Sequence, residues 1–293
     1  MSGMQLLNNV STVETWYSRA MDKKTDGLVI RPNPLDPRLT ERVAGIDQTG
    51  ARIATSVTVE RALTIFLNGQ EIVTAMTIGD YPDYLAVGFL LNQNMLKAND
   101  VVTGVDYDED LGIVVVRTKR KTNFEKKLKK KVQTSGCAQG TVFGDLMEAL
   151  EDVKLPKAEL RTSRLYTLTH AINTTPSLYL EAGAIHGCVL AKEDRPLVYM
   201  EDVGRHNAVD KVVGWAFLDG RLPLAEHILM VSGRTSFEIL QKAVMAGVPV
   251  VCAVSAPSTL AVSVAREFGV TLIGFLRGER FNVYAGAERV KRA

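Results

Sequence analysis

The chain has 293 residues, of which 46% are hydrophobic and 23% charged, and its net charge at neutral pH is +2. This composition excludes a disordered polyelectrolyte and indicates a globular protein with a sizeable core. No stretch of about 18 uncharged apolar residues occurs, and residues 1–20 lack a basic segment followed by an apolar run. We therefore expect a cytoplasmic protein with neither a membrane span nor a signal peptide.

Residues 1–55 lack a sustained periodicity and contain several prolines, which predicts an extended N-terminal arm. A small α+β domain is expected over residues 56–134, with two hairpins and one helix. The first hairpin joins 62–67 to 72–77 through Asn68-Gly69, the helix covers 85–91, and the second hairpin joins 101–107 to 113–118.

A lysine run closes this small domain. Residues 119–131 contain eight basic side chains and a single acid, Glu125. Such a run is either a solvated surface or a contact for an acidic partner or polyanion. Its single aromatic residue, Phe124, does not give the aromatic interleaving of nucleic-acid binders, so nucleic-acid binding is not expected.

The second half, residues 135–293, predicts an α/β domain that begins with a cysteine-containing loop. Short apolar segments alternate with amphipathic ones, which predicts an open, largely parallel sheet covered by helices. A capping box of Thr235 and Glu238 predicts the start of one of these helices. The strands are expected at 189–191, 197–200, 228–231, 250–254 and 271–275, and two further helices at 207–217 and 259–268.

In an open α/β sheet, ligands bind beyond the carboxyl ends of the strands. The segments that follow the predicted strands, 201–206, 232–236, 255–259 and 277–280, are rich in arginine, hydroxyl groups and glycine. Arginine forks and helix N-termini bind phosphate oxygens, so a nucleotide or pyrophosphate is the expected ligand, although serine and threonine before a helix are often only caps. The candidate contacts are Asp202, Arg205, His206, Ser232, Arg234 and Ser255, and His186 lies near the same cleft.

The three cysteines are far apart and odd in number, which indicates a reducing compartment and free thiols. Cys188 and Cys252 lie among apolar strand residues, as buried cysteines usually do. Cys137 instead lies in a glycine-flanked loop between the lysine run and a predicted helix, where positive charge favours a nucleophilic thiolate. It is either a sulfur acceptor or an incidental exposed cysteine. No C-x-x-C or H-x-x-x-H spacing occurs, so no metal site is expected.

Four motifs together resemble the formate dehydrogenase accessory sulfurtransferase family, FdhD, from about Glu60 to Gly286. They are ERAL at 60–63, DVGRHNAVDK at 202–211, SGR at 232–234 and FLRGER at 275–280. The resemblance implies a homodimer whose larger domain resembles the cytidine deaminase fold. It also implies a cysteine desulfurase and a formate dehydrogenase catalytic subunit as partners, and sulfur transfer to a bis-molybdopterin guanine dinucleotide cofactor containing molybdenum or tungsten.

The resemblance also assigns residues by position. Cys137 matches the persulfide cysteine of the family, and the cofactor segment corresponds to Phe275, Leu276, Arg277, Gly278, Glu279 and Arg280. GDP is the expected mimic of the cofactor. Many members have C-x-x-C at the cysteine loop, whereas Gly140 occupies the second position here.

That departure keeps a second interpretation open, a chaperone that binds and delivers the cofactor without transferring sulfur. A zinc nucleobase deaminase would need H-x-E and P-C-x-x-C motifs, which His186-Gly187-Cys188 does not provide.

Overall fold

The computed structural model describes residues 28–121, 150 and 153–292. Cys137 and Gly140 lie outside these residues, as does the part of the lysine run beyond Lys121. Among the helices that are described, none is both long and apolar enough to span a membrane.

A hairpin lies within the segment that was expected to be an extended arm. Strands β1 (Thr40–Ile46) and β2 (Arg52–Thr58) pair antiparallel, and most of their side chains are exposed. The turn between them is set by Asp47, whose Oδ1 accepts hydrogen bonds from the N–H groups of Thr49 (2.8 Å) and Ala51 (3.1 Å). The expectation of an extended arm therefore does not hold for residues 40–55, and β2 continues into the predicted small domain.

The small domain contains both predicted hairpins and the predicted helix, which are thereby confirmed. Its four-stranded sheet has the order β4-β3-β6-β5, and β3 pairs parallel with β6. Leu63, Ile65 and Leu67 alternate inward along β3 and are buried with helix α1 in one apolar cluster. The elements are β3 (Arg61–Leu67), β4 (Gln70–Thr77), α1 (Pro82–Asn92), β5 (Val102–Asp108) and β6 (Ile113–Thr118).

The second half is built on a six-stranded sheet of order β13-β12-β11-β10-β8-β9. Its strands are β8 (His186–Lys192), β9 (Arg195–Asp202), β10 (His227–Val231), β11 (Val250–Ala253), β12 (Thr271–Arg277) and β13 (Arg280–Ala285). Its helices are α2 (Thr162–Thr174), α3 (Leu178–Ala182), α4 (Arg205–Leu218), α5 (Phe237–Met245) and α6 (Thr259–Glu267). The short strands β7 (Leu160–Arg161) and β14 (Val290–Lys291) pair beside it.

The prediction of a largely parallel sheet is wrong. Only the β10–β11 and β11–β12 pairs are parallel, and the β8–β9, β8–β10 and β12–β13 pairs are antiparallel. The connections explain this result, because β8 and β9 are joined by two residues and β12 and β13 by Gly278-Glu279. A two-residue connection permits only antiparallel pairing, whereas a crossover helix permits parallel pairing.

Both faces of the large sheet are covered. Alternate residues such as Cys188 and Leu190 belong to the same core cluster as α4, α5 and α6. Their neighbours Val189 and Ala191 belong to a second cluster with the apolar face of α2. The first cluster continues into the small sheet, so the described parts of the two predicted domains share one apolar core.

Candidate functional site

Four strands of the large sheet end at the same edge. Strands β10, β11 and β12 run parallel, and β9 has the same direction because it pairs antiparallel with β8, which in turn pairs antiparallel with β10. The predicted convergence of the four segments after these strands is therefore confirmed. We call this surface the carboxyl edge, and β8 begins on it with His186 and Gly187.

Hydrogen bonds join neighbouring segments along the carboxyl edge. Ser232 N–H donates to the carbonyl of Gly187 (3.0 Å), and Thr235 N–H donates to the carbonyl of Ala256 (3.3 Å). Phe275 N–H donates to the carbonyl of Ser255 (3.2 Å). The edge is thus a continuous surface from β8 to β12.

Asp202 lies below this surface. Its side chain has no exposed area and forms an ion pair with Lys211 Nζ at 2.6 Å. Its Oδ2 also accepts a hydrogen bond from Thr77 Oγ1 (2.5 Å), and its Oδ1 accepts from Gly204 N–H (2.9 Å) and Asn207 Nδ2 (2.8 Å). Every lone-pair direction is occupied, so Asp202 holds the turn that precedes α4 and offers no oxygen to a ligand.

Arg205 is the first residue of α4, and Gly204 caps this helix without a side-chain hydrogen bond. The Nε atom of Arg205 is buried and has no hydrogen-bond partner among the described residues. His206 follows it and is 8% exposed, with Nε2 3.3 Å from Ser236 Oγ. Burial, together with the charges of Lys242 and Arg205, lowers the pKa of His206 from 6.5 to about 3.

The segment after β10 contains a fixed serine and an exposed arginine. Ser232 Oγ accepts a hydrogen bond from Gly187 N–H at 2.9 Å and lies 3.4 Å from His186 Nδ1. Arg234 is exposed and has no ion-pair partner in the described part of the chain. The expected capping box is wrong, because Ser236 is the N-cap of α5 and Thr235 Oγ1 is buried without a hydrogen-bond partner among the described residues.

The segment 275–280 lies at the far end of the edge, where β12 turns into β13. Phe275 has a φ of 54° at an irregularity of the β12–β13 pairing, and it is 42% exposed. A positive φ is unusual for a bulky residue and is often found at functional sites. Leu276 is buried in the core, whereas Arg277, Gly278, Glu279 and Arg280 are exposed. Phe275, Arg277 and Arg280 line an open cavity of about 1290 Å³.

The two described cysteines are buried on opposite faces of the large sheet. Neither thiol is exposed, and burial raises the pKa of Cys188 and raises that of Cys252 to about 12. Both thiols therefore stay protonated and inaccessible. The third cysteine, Cys137, was predicted to be the nucleophile and lies outside the described residues.

Sequence reasoning missed a buried ionic network behind the edge. Lys211 has no exposed surface and contacts Asp80 as well as Asp202, and its Nζ donates to the carbonyl of Glu201 (3.0 Å). A second buried pair, Lys242 with Asp210, has an N–O distance of 2.6 Å. The signal available was the adjacent charged pair Asp210 and Lys211 inside the predicted helix 207–217, because charged residues are rarely buried unless they are paired.

The fold and the carboxyl edge define an α/β protein with an arginine-rich surface suited to phosphate groups. The model of the FdhD/NarQ family matches residues 58–291, and this chain belongs to that family. The resemblance read from the sequence is thereby confirmed.

Relatives match most of the chain. The sulfur carrier protein FdhD of Nocardia farcinica is 41% identical over 247 residues, which cover 80% of this chain and 88% of the relative. The sulfur carrier protein FdhD of Streptomyces avermitilis is 38% identical over 275 residues, which cover 86% of this chain and 96% of the relative. A crystal structure described as a candidate formate dehydrogenase accessory protein from Desulfotalea psychrophila has a TM-score of 0.69 and 26% identity, covering 86% of this chain and 99% of that one.

Proposed function

We propose that this chain is a sulfur carrier that serves the maturation of a formate dehydrogenase, with Cys137 as the sulfur-carrying residue. The observation that carries the proposal is the burial of Cys188 and Cys252, whose thiols have raised pKa values and no exposed surface. Of the three cysteines in the sequence, only Cys137 remains as a carrier. The names of the relatives, sulfur carrier proteins FdhD, support the same role.

Loading of Cys137 needs no external oxidant. The Cys137 thiolate attacks the outer sulfur of a persulfide on a cysteine desulfurase, a new S–S bond forms, and the desulfurase cysteine leaves as a thiolate. One thiol is sufficient for this exchange, so Gly140 at the second position of the family motif does not prevent it.

The substrate that receives the sulfur is a bis-molybdopterin guanine dinucleotide cofactor with molybdenum or tungsten. The residues of the carboxyl edge fit such a group, because Arg277 and Arg280 are exposed beside Phe275 along one cavity. Guanidinium groups bind diphosphate oxygens, and an exposed aromatic ring offers a stacking surface to guanine. A homodimer and a cytidine deaminase-like larger domain remain predictions of the family resemblance.

Mass spectrometry tests the carrier role. After incubation with a cysteine desulfurase and cysteine, the protein is expected to gain about 32 Da on Cys137, the mass of one sulfur atom. Cys137→Ala should lose this adduct, whereas Cys188→Ala and Cys252→Ala should keep it and lose stability through lost packing. An adduct that persists in Cys137→Ala would contradict the assignment.

The alternative is a cofactor chaperone that transfers no sulfur, and Gly140 is the observation that favours it. A strain whose only copy is Cys137→Ala separates the two. The carrier function predicts an inactive formate dehydrogenase in that strain, and the chaperone function predicts full maturation.

A further inference from the structure

Strand β13 (Arg280–Ala285) forms one edge of the large sheet. In the described sheet it pairs with β12 alone, so its other side has no neighbouring strand. The opposite edge, β9, is covered at its centre, because Tyr199 N–H donates to the carbonyl of Ile30 (3.0 Å). Within the described part of this sheet, β13 is therefore the open edge, and an open edge is a template on which a further strand can pair.

The cavity of about 1290 Å³ runs along this open edge. Five consecutive residues of β13, 280–284, line it. Because successive side chains of a strand point to opposite faces, a cavity that contacts all five lies along the edge of the strand. It is larger than the roughly 300–1,000 Å³ of small-molecule sites, so a nucleotide at Phe275 leaves the part beside β13 unfilled. We call this part the β13 groove.

The length of the β13 groove suits a short extended segment. Six strand residues span about 20 Å. Arg266 of α6 already donates to one backbone group of the strand, the carbonyl of Tyr284 (3.3 Å). A further strand is therefore expected to pair chiefly along residues 280–283.

The groove has an apolar wall on the side of α2. The ring centroids of Tyr166 and Phe281 lie 6.5 Å apart, and Val283 packs in the same apolar cluster. All three side chains are half-buried. A strand laid in the groove would place every second side chain against this wall and the others away from it.

The rim of the groove is positively charged. Arg277, Arg280 and Arg292 line the cavity and are exposed. Glu279 is the single acid among the lining residues, so three arginines and one glutamate leave a net charge of +2. Such a rim attracts an acidic segment and repels a basic one.

We propose that the β13 groove binds an extended, acidic segment of a partner protein, which adds to the large sheet as a strand beside β13. In this mode main-chain hydrogen bonds supply the affinity, and alternate side chains supply the specificity. The occupant is then a segment of about six residues in which apolar and acidic side chains alternate. Binding of this kind depends neither on sulfur transfer nor on the cofactor, so its failure would leave the proposed function standing.

A labelled probe peptide, Glu-Val-Glu-Val-Glu-Val-Glu, tests the groove on the full-length protein by fluorescence anisotropy. Its matched control replaces each glutamate by lysine, which keeps the apolar pattern and reverses the charge. The acidic probe is expected to bind, and the basic control to bind at least about 10-fold more weakly, because the rim is positive. No binding of the acidic probe, or equal binding of the two peptides, would overturn the proposal.

Backbone methylation of the acidic probe shows whether it pairs as a strand. Successive N–H groups of a strand point to opposite edges, so methylating the valine nitrogens removes the donors of one edge, and methylating the glutamate nitrogens removes those of the other. Pairing with β13 uses one edge. One methylated probe is therefore expected to bind at least about 10-fold more weakly and the other to keep its affinity. Equal affinities of the two methylated probes would rule out strand addition, and misfolding cannot produce this result because the protein is unchanged.

Substitutions in the wall and the rim locate the binding site. Tyr166→Ala and Arg292→Glu are each expected to weaken binding of the acidic probe by about 10-fold or more. Tyr107→Ala and Arg195→Glu are the matched controls, because Tyr107 lies in the small sheet and Arg195 at the start of β9, and both are exposed. Melting temperatures show that each variant is folded, and the exposed Arg292 decides the question if Tyr166→Ala does not fold. Equal losses in the controls would contradict the location.

Hydrogen exchange of the full-length protein gives an independent location. The acidic probe is expected to slow exchange in residues 280–285, whereas the basic control should leave it unchanged. Slowed exchange confined to another segment would overturn the site. Full protection of every β13 amide before the probe is added would also overturn it, because another part of the chain or a second copy would then already fill the groove.

Discussion

His206 illustrates how burial sets the chemistry of a single residue at the carboxyl edge. Its ring is 8% exposed, and the charged groups that face it are Lys242, Arg205 and Glu238. The two cations and the loss of solvent outweigh the carboxylate, so the pKa falls from 6.5 to about 3. His206 is therefore neutral in the folded protein at pH 7 and at pH 5.

This pKa predicts a loss of stability in mild acid. A base with a lowered folded pKa contributes stability that is present above its unfolded pKa of 6.5 and is lost as the pH falls toward 3. Between pH 7 and pH 5 the loss from His206 is about 2 kcal/mol. Urea unfolding at both pH values should show a smaller pH effect for His206→Gln than for the wild type by about that amount. Equal pH effects in the two proteins would contradict the lowered pKa.

Comparing variants at two pH values is necessary because other groups also titrate. Burial, together with neighbouring positive charge, lowers the pKa of His186 and His227 as well, which adds to the acid sensitivity. Burial raises the pKa of Asp80 and Asp210, and a carboxyl group of that kind gains stability as the pH falls. Subtracting the pH effect on the free energy of unfolding of His206→Gln from that of the wild type cancels the contributions of these other groups, which both proteins share.

At the same scale, the sequence predicted which segments meet but not what each side chain does. Residues after strands were assigned to the ligand because the strand ends converge. Arg205 and Ser232 do lie on the carboxyl edge, as this reasoning predicted. Asp202 was assigned by the same reasoning and is buried against Lys211 and Thr77. Thr77 lies 125 positions earlier in the chain, and no local pattern identifies such a partner.

At the scale of elements, α1 and α4 cross at two glycines. A Cβ at Gly88 would lie 1.8 Å from the carbonyl oxygen of Asp210, and one at Gly214 would lie 1.9 Å from that of Tyr84. The helices therefore touch through their backbones, and this contact attaches the small domain to the helix that starts at Arg205. A glycine inside a helix is usually unfavourable, so the sequence contained a signal that was not used.

The crossing predicts a strong effect of one methyl group. Gly214→Ala must push two backbones apart and is expected to lower the free energy of unfolding by about 3 kcal/mol, measured by urea titration. Gly69→Ala is the control, because a Cβ there has no atom within 4 Å. A Gly214→Ala protein as stable as Gly69→Ala would show that the helices separate easily.

Strand direction is another element-scale property that the sequence indicated only in part. Five of the six strands of the large sheet could be located from apolar segments, whereas β13 was not predicted and only its first residue, Arg280, belongs to a recognised motif. Direction depends on connection length, and the two residues between β8 and β9 force them to be antiparallel. Reading these gaps as hairpin turns would have predicted the mixed sheet.

For the whole molecule, the buried ionic network joins the two sheets. Lys211 of α4 contacts Asp80, which precedes α1, and Asp202 at the end of β9. The apolar core is also continuous between the sheets, from Ile65 in β3 to Leu229 in β10. A shared core and a shared ion cluster indicate that the described parts of the two predicted domains unfold together.

Lys211→Met tests this cooperativity. Removing the lysine leaves the buried carboxylate of Asp202 and the partly buried carboxylate of Asp80 without a cation, which is expected to cost about 3–5 kcal/mol. Native-state hydrogen exchange should show the opening free energy falling by the same amount in β3 and in β10, because neither sheet opens alone. Lys192→Met, which removes the exposed pair with Glu226, is the control and should change neither sheet. Adding Asp202→Asn to Lys211→Met should restore part of the loss by removing an uncompensated charge. A decrease confined to one sheet would instead show that the two sheets unfold as separate units.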